Sequence, residues 1–187
     1  ASKKVLIKRA ALSSQQQLSL ITSNLGEKID NISNYAITLS INSNIADVLK
    51  ENPTVPENTL EHFLVNSELT DQAQRIIGLH KNIYAWDILD TENHWFHSST
   101  TETDQLDSIL GPEVLDSLQT NLAFHFLGPF QISGEPTFVA LKSITNIDNT
   151  KYLGALVLLI RETNISSAFR DLPDSSSRDF YITDENG

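Results

Sequence analysis

The chain has 187 residues, 40% of them apolar and 20% charged, with 13 Lys+Arg against 24 Asp+Glu for a net charge of −11. That length holds one good-sized domain plus an appendage, and the composition is that of a folded chain rather than a disordered one. The acidic balance argues against nucleic acid as a partner, because neutralising phosphates takes clustered Lys and Arg. What positive charge exists is concentrated: Lys3, Lys4, Lys8 and Arg9 stand in the first nine positions. Such an end either suits phosphate headgroups or is simply solvated. With no cysteine, disulfides, thiol catalysis and cysteine-based metal sites are excluded. Methionine is absent too, including an initiator, which is expected of an excised or processed piece. The longest apolar run is 153–160, well short of the ~20 residues a spanning helix needs, and no signal peptide is evident. Any membrane anchor is therefore expected outside these residues.

From 3 to 52 the sequence reads as one continuous helix. It contains no proline and a single glycine, Gly26, while Leu18, Leu25, Ile32 and Leu39 recur every seven residues with Ile21, Ile29 and Ala36 between them. That pattern is an apolar seam, and a rod of forty or more residues would reach roughly 60 Å. The seam allows either pairing with a second copy or covering the chain's own sheet. Asn24, Asn31 and Asn34 beside it suit a weak interface or solvated positions. Pro53 and Pro56 end the rod, and Asn58 with Glu61 resembles a capping pair opening a further helix. Its expected apolar side is Leu60, Phe63, Leu64, Leu69, Ala73, Ile76 and Ile77, with a break near Ser67 and an end at Gly78.

From Asn82 the period changes. Residues 83–89 and 95–99, separated by Asp90, Thr91, Glu92 and Asn93, carry a hairpin signature. Two short helices follow, divided at Gly111 and Pro112, where glycine stops one helix and proline opens the next. Three more strands are predicted at 124–132, 137–145 and 152–160, punctuated by Gly134, Glu135 and Pro136 and by 146–149. The last is apolar on both faces, so it belongs in mid-sheet. A helix over 161–170 then leads through the polar stretch 173–178 to 179–187, which reads as a new strand and turn. Five strands in hairpin succession, with helices grouped rather than alternating, predict an α+β domain. The expected divisions are a stalk helix at 1–52, a module at 53–172, and a linker with the first strand of another module at 173–187.

The long N-terminal helix, the hairpin of 83–99, the Phe126-Leu127-Gly128-Pro129 segment and the strand of 152–160 followed by a helix resemble the double-Cache ectodomains of bacterial sensor histidine kinases. The ending Phe180 to Gly187 is similar to the opening of the second, membrane-proximal module of that family. The resemblance implies a PAS-like fold on the extracellular side of a bacterial membrane, tethered by flanking spans outside this chain. It also implies a homodimer through the stalk helix and a small-molecule ligand whose binding is passed to a cytoplasmic kinase. No match to the amino-acid-binding signature of some Cache domains is present. A methyl-accepting chemoreceptor ectodomain and a secreted or anchored interaction module without a small ligand are the alternatives.

PAS-like sheets hold small molecules against one face, so the candidate ligand-binding residues are those that break a strand's apolar pattern. Trp86 shares a strand face with Tyr84 and Ile88, His97 shares one with Trp95, His125 lies between Phe124 and Phe126, and Lys142 sits on a face with Phe138, Ala140 and Ile144. Each has an ordinary reading as well, since strand aromatics are usually core and a lysine usually reaches to water. No catalytic residue, metal site or cofactor is expected: there is no nucleophile elbow, no glycine-rich phosphate loop, and no recognisable pairing of acidic residues. His94 and His97 have a short metal-ligand spacing, but three residues apart on a strand they point to opposite faces. His62 and His80 are expected to face solvent. Asn31-Ile32-Ser33 and Asn164-Ile165-Ser166 match the glycosylation acceptor pattern, which matters only in a eukaryotic secretory route.

Overall fold

A computed structural model describes residues 2–52, 55–78, 80–98, 103–122, 124–148 and 150–170; the strand and turn expected at 179–187 lie outside the described residues. The chain forms two compact units, one of Ala1–Lys28 with Thr163–Gly187 and one of Ile29–Glu162. The first helix, α1, is Ser2–Ser40, so the rod expected to reach Asn52 stops earlier. The reason is Asn42, whose extended backbone and side chain, accepting from the Ile45 N–H, start a separate helix α2 at Ser43–Glu51. An Asn side chain offers the backbone an alternative to continuing the helix, which a search for proline and glycine overlooks. In the larger unit the seam residues Ile32, Ala36 and Leu39 are fully buried. In the smaller unit Ile21 is buried but Leu18 is 54% exposed, so the seven-residue repeat is not covered evenly. There Lys28 donates to the Asn164 carbonyl at 2.7 Å and to Ser167 Oγ at 2.9 Å, joining α1 to helix α6, Glu162–Arg170.

Helix α3 runs unbroken over Leu60–Ile77, through the break expected near Ser67. Its cap is Thr59, which accepts from the His62 N–H, while Asn58 takes a turn conformation with φ 63°. The buried face is Val65, Leu69, Ala73 and Ile77, whereas Leu60, Phe63 and Leu64 are 75%, 66% and 58% exposed. The expected apolar side therefore holds only for the helix's second half, because two apolar stripes begin on this helix and tertiary packing covers one of them.

The sheet comprises β1 Ala85–Asp90, β2 Trp95–His97, β3 His125–Ile132, β4 Glu135–Thr145 and β5 Tyr152–Arg161, with helices α4 Thr103–Ile109 and α5 Pro112–Asn121 between β2 and β3. All pairings are antiparallel, in the order β2-β1-β5-β4-β3. This is an α+β, PAS-like arrangement with the apolar β5 in mid-sheet, as its pattern predicts. Glu135 and Pro136 belong to the β3–β4 ladder rather than to a turn, opposite Ile132 and Gln131. Proline is tolerated there because it lies one residue before Thr137, where the β4–β5 ladder begins, so β5 needs no donor from it.

Leu106 of α4, Leu118 of α5 and Leu110 between the two helices pack with Leu89, Val139, Leu141, Ala155, Val157 and Leu159 on one face. The other face, including Ile88, Phe96, Ala140, Leu156 and Leu158, is equally buried, with α2 against β5 and α3 against β2. A sheet covered on both sides explains why β5 has no polar residue between Leu153 and Ile160.

Candidate ligand-binding site

The edge strand β2 would expose unpaired backbone groups, and α3, with Glu57 in the turn before it, closes it with polar side chains. The Trp95 N–H donates to Glu57 Oε1 at 3.1 Å and its carbonyl accepts from His62 Nε2 at 2.9 Å. The His97 N–H donates to Asn66 Oδ1 at 2.8 Å and its carbonyl accepts from Asn66 Nδ2 at 3.1 Å. His62, expected to face solvent, is thus half-buried and stacked on Phe96 with ring centroids 4.7 Å apart. Because the His97 backbone points outward, His97 and its cross-strand partner Asp87 form a non-hydrogen-bonded pair, the kind whose side chains lie closest. His97 Nδ1 accordingly donates to Asp87 Oδ1 at 2.6 Å. Asp87 is fully buried and His97 25% exposed. The Trp95 ring lies 5.8 Å from that of His97 and nearly parallel to it, while its Nε1 donates to Asp107 Oδ1 at 2.9 Å. Asp87 was missed by the sequence reading. Its signal was a lone carboxylate in the apolar run 83–89, which is informative because burying a charge is costly unless it is paired.

One residue along each strand, Trp86 and Ser98 border a cavity of about 270 Å³, with His80, Tyr84, Gln74 and Ile77 among its other walls. The Trp86 N–H donates to Ser98 Oγ at 2.9 Å. Tyr84 is 40% exposed, whereas Trp86 is 3% exposed. His80, also expected to face solvent, is half-buried, and its ring centroid lies 3.7 Å from that of Tyr35 on α1. The cavity thus combines aromatic residues with hydrogen-bonding groups, is more polar than most small-molecule sites, and one of its walls touches α1.

The four predicted residues do not form one site. Trp86 lines this cavity. His97 is on the opposite sheet face, held by Asp87. His125 shares that face but lies on the far edge strand, roughly 19 Å from β2 at about 4.8 Å per strand, with Nε2 3.3 Å from Ser117 Oγ of α5. Lys142 borders a second cavity, also of about 270 Å³, at the end of α1. His94 is drawn away from His97 by the turn, where Asp90 takes its Nδ1 at 3.1 Å and the Glu92 and His94 N–H groups at 2.8 Å each. Among the described residues no three His, Asp or Glu side chains converge as a metal site, and no helix is long and apolar enough to cross a membrane. The groups around the Trp86 cavity offer stacking and hydrogen bonds.

No protein-family model matches the chain, and neither does any curated protein. Among solved structures it is similar to the ligand-binding domain of the Campylobacter jejuni chemoreceptor Tlp3, crystallised with L-valine and with L-norvaline. The two comparisons give 15% identity and a TM-score of 0.41 each, covering 84% and 83% of this chain and 67% and 65% of theirs. The chain thus spans about two thirds of the length of those domains.

Proposed function

We propose that the chain is the extracytoplasmic, non-catalytic sensing domain of a bacterial membrane signalling protein, binding a small polar solute in the Trp86 cavity and passing the change to α1. The observation that carries this reading is the contact between the cavity wall and that helix: His80 lines the cavity and its ring lies 3.7 Å from Tyr35. A solute that prefers one placement of His80 biases Tyr35 with it, and the shift can be no larger than the solute's differential affinity for the two arrangements. Helix α1 is 39 residues long, roughly 60 Å at 1.5 Å per residue, and although its seam is buried within the chain from Ile32 to Leu39, Leu18 and Leu20 are each 54% exposed and suit pairing with a second copy in a homodimer anchored by flanking spans. The sequence resemblance favours a sensor histidine kinase; a chemoreceptor ectodomain of the same fold is the alternative. Sequence beyond the two ends separates them, since an ATP-binding kinase region marks the first and a methyl-accepting coiled coil the second.

The test is a thermal-shift screen of a broad panel of small metabolites, followed by titration of any hit against the wild type, Gln74→Ala and His80→Ala. The expected result is a solute that raises Tm saturably and quenches or enhances tryptophan emission, with affinity falling about tenfold or more in at least one variant. A panel without any stabilising member, or a hit that binds both variants like the wild type, would overturn the assignment of this cavity.

A further inference from the structure

On the same sheet face as Trp86 but two strands away, β3 pairs with β4 only as far as Leu141, opposite His125, so Lys142 is the first β4 residue beyond that ladder. The C-terminal end of α5 fills the gap. Leu122 takes a left-handed conformation there with φ 51°, and Lys142 Nζ donates to its carbonyl. Neighbouring Ser143 donates to the Leu118 carbonyl in the same way. Lys142 therefore caps α5, a structural duty suited to a cation at a helix C-terminus. That duty takes one of its three donors, and none of the ion pairs among the described residues supplies Lys142 with a carboxylate. The Lys142 side chain is half-buried, and burial pushes its pKa down from the usual lysine value.

The space beside it is a cavity of about 270 Å³ whose far wall is the last turn of α1 with Ile37, Ser40 and Ile41. Ser40 is committed, its Oγ donating to the Ile37 carbonyl at 2.9 Å. Ile37 and Ile41 remain 39% and 57% exposed. A single cation with spare donors faces the two isoleucines, with Ser143 and Thr145 completing the lining on its own side, in a volume near the lower limit for small-molecule sites.

We infer that this cavity is a second binding site, for a small monocarboxylate whose charged end pairs with Lys142 and whose short apolar tail lies on Ile37 and Ile41. One cation matches one negative charge, and the hydroxyls that line the cavity beside the isoleucines are engaged, Ser40 and Ser143 donating to backbone carbonyls and Thr145 holding a contact of its own, which leaves little for the remaining oxygens of a phosphate. The ligand would seat directly against the end of α1, where the helix stops and the chain turns into α2. This site is independent of the Trp86 cavity, so neither assignment stands or falls with the other.

The experiment is amide NMR and thermal-shift titration of the protein with sodium butyrate, against sodium acetate, inorganic phosphate and butylamine hydrochloride at matched ionic strength. Butyrate is expected to shift the amides around Ile37, Ile41 and Leu122 saturably, binding about fivefold tighter than acetate from its two further methylenes on a half-open wall. Phosphate and butylamine should leave those amides unmoved. Lys142→Met keeps the stem and should lose the response. Ile41→Glu, at an exposed position that cannot compromise the core, should lose it too while Lys142 remains. Butyrate acting no differently from chloride, phosphate or butylamine binding equally well, or either variant responding as the wild type would overturn the inference.

Discussion

Replacing the same side chain at two positions of α3 separates the packing of this helix from its sequence pattern. Leu69 is fully buried and Leu60 is 75% exposed, yet both were expected on the apolar face. Leu→Ala removes three carbons, about 2.4 kcal/mol of transfer free energy at ~0.8 kcal/mol per methylene. At Leu69 the residual cavity adds to this, for a total of about 3 to 4 kcal/mol within the range measured for buried leucines. For a chain of this size, each kcal/mol lowers Tm by roughly 2 to 4 °C, so Leu69→Ala should melt some 6 to 16 °C below the wild type. At Leu60 only about a quarter of the transfer term applies, and alanine's better helix propensity offsets much of it, so the change should stay within about 0.5 kcal/mol. Calorimetry of the two variants beside the wild type measures the contrast directly. Equal losses, or a larger one at Leu60, would refute the rotation of α3 and with it the placement of Asn66 and His62 along β2.

Two further predictions concern the sheet. A Cβ on Gly154 would lie 2.6 Å from the Leu89 carbonyl oxygen, a backbone atom with no easy retreat, so Gly154→Ala should cost about 2 to 3 kcal/mol; a variant melting like the wild type would show the β1–β5 register to be wrong. Burial, with the Asp90 carboxylate second, pushes the Tyr152 phenol up to about 12, against about 10 in the unfolded chain. The folded state therefore holds that proton more tightly, and its contribution, present below pH 10, is lost as pH rises from about 10 to 12. Denaturant midpoints across that window should fall less for Tyr152→Phe than for the wild type.

The legible parts of the fold were those where one signal dominated its neighbourhood. The central place of β5 could be anticipated, because a run apolar on both faces has nowhere to go but the middle of a covered sheet. Gly111 and Pro112 divided α4 from α5 as glycine and proline chemistry requires. Where two signals competed, only the folded chain settled the matter. The extended seam of α1 and the capping preference of Asn42 pull in opposite directions, and the cap won. On α3, Leu60, Phe63 and Leu64 form as good a stripe as Val65, Leu69 and Ala73, and the choice between them rests on what the sheet presents.

The site divides in the same way. The amino-acid sequence alone marked Trp86, His97, His125 and Lys142 as residues out of pattern, since a polar or outsized side chain on an apolar strand needs a local reason. It also determined the α+β class and the absence of thiol chemistry, which depend only on composition and period. Which of those residues meet a cavity depends on strand register and on which helix covers which face, and these are set by contacts between residues far apart in the chain. Tertiary structure alone placed Trp86 and His80 on one cavity with His80 against Tyr35, gave His97 to Asp87 and His125 to Ser117, and left Lys142 facing the end of α1. Side-chain alternation tells which face of a strand a residue takes, but only packing decides what lies opposite it.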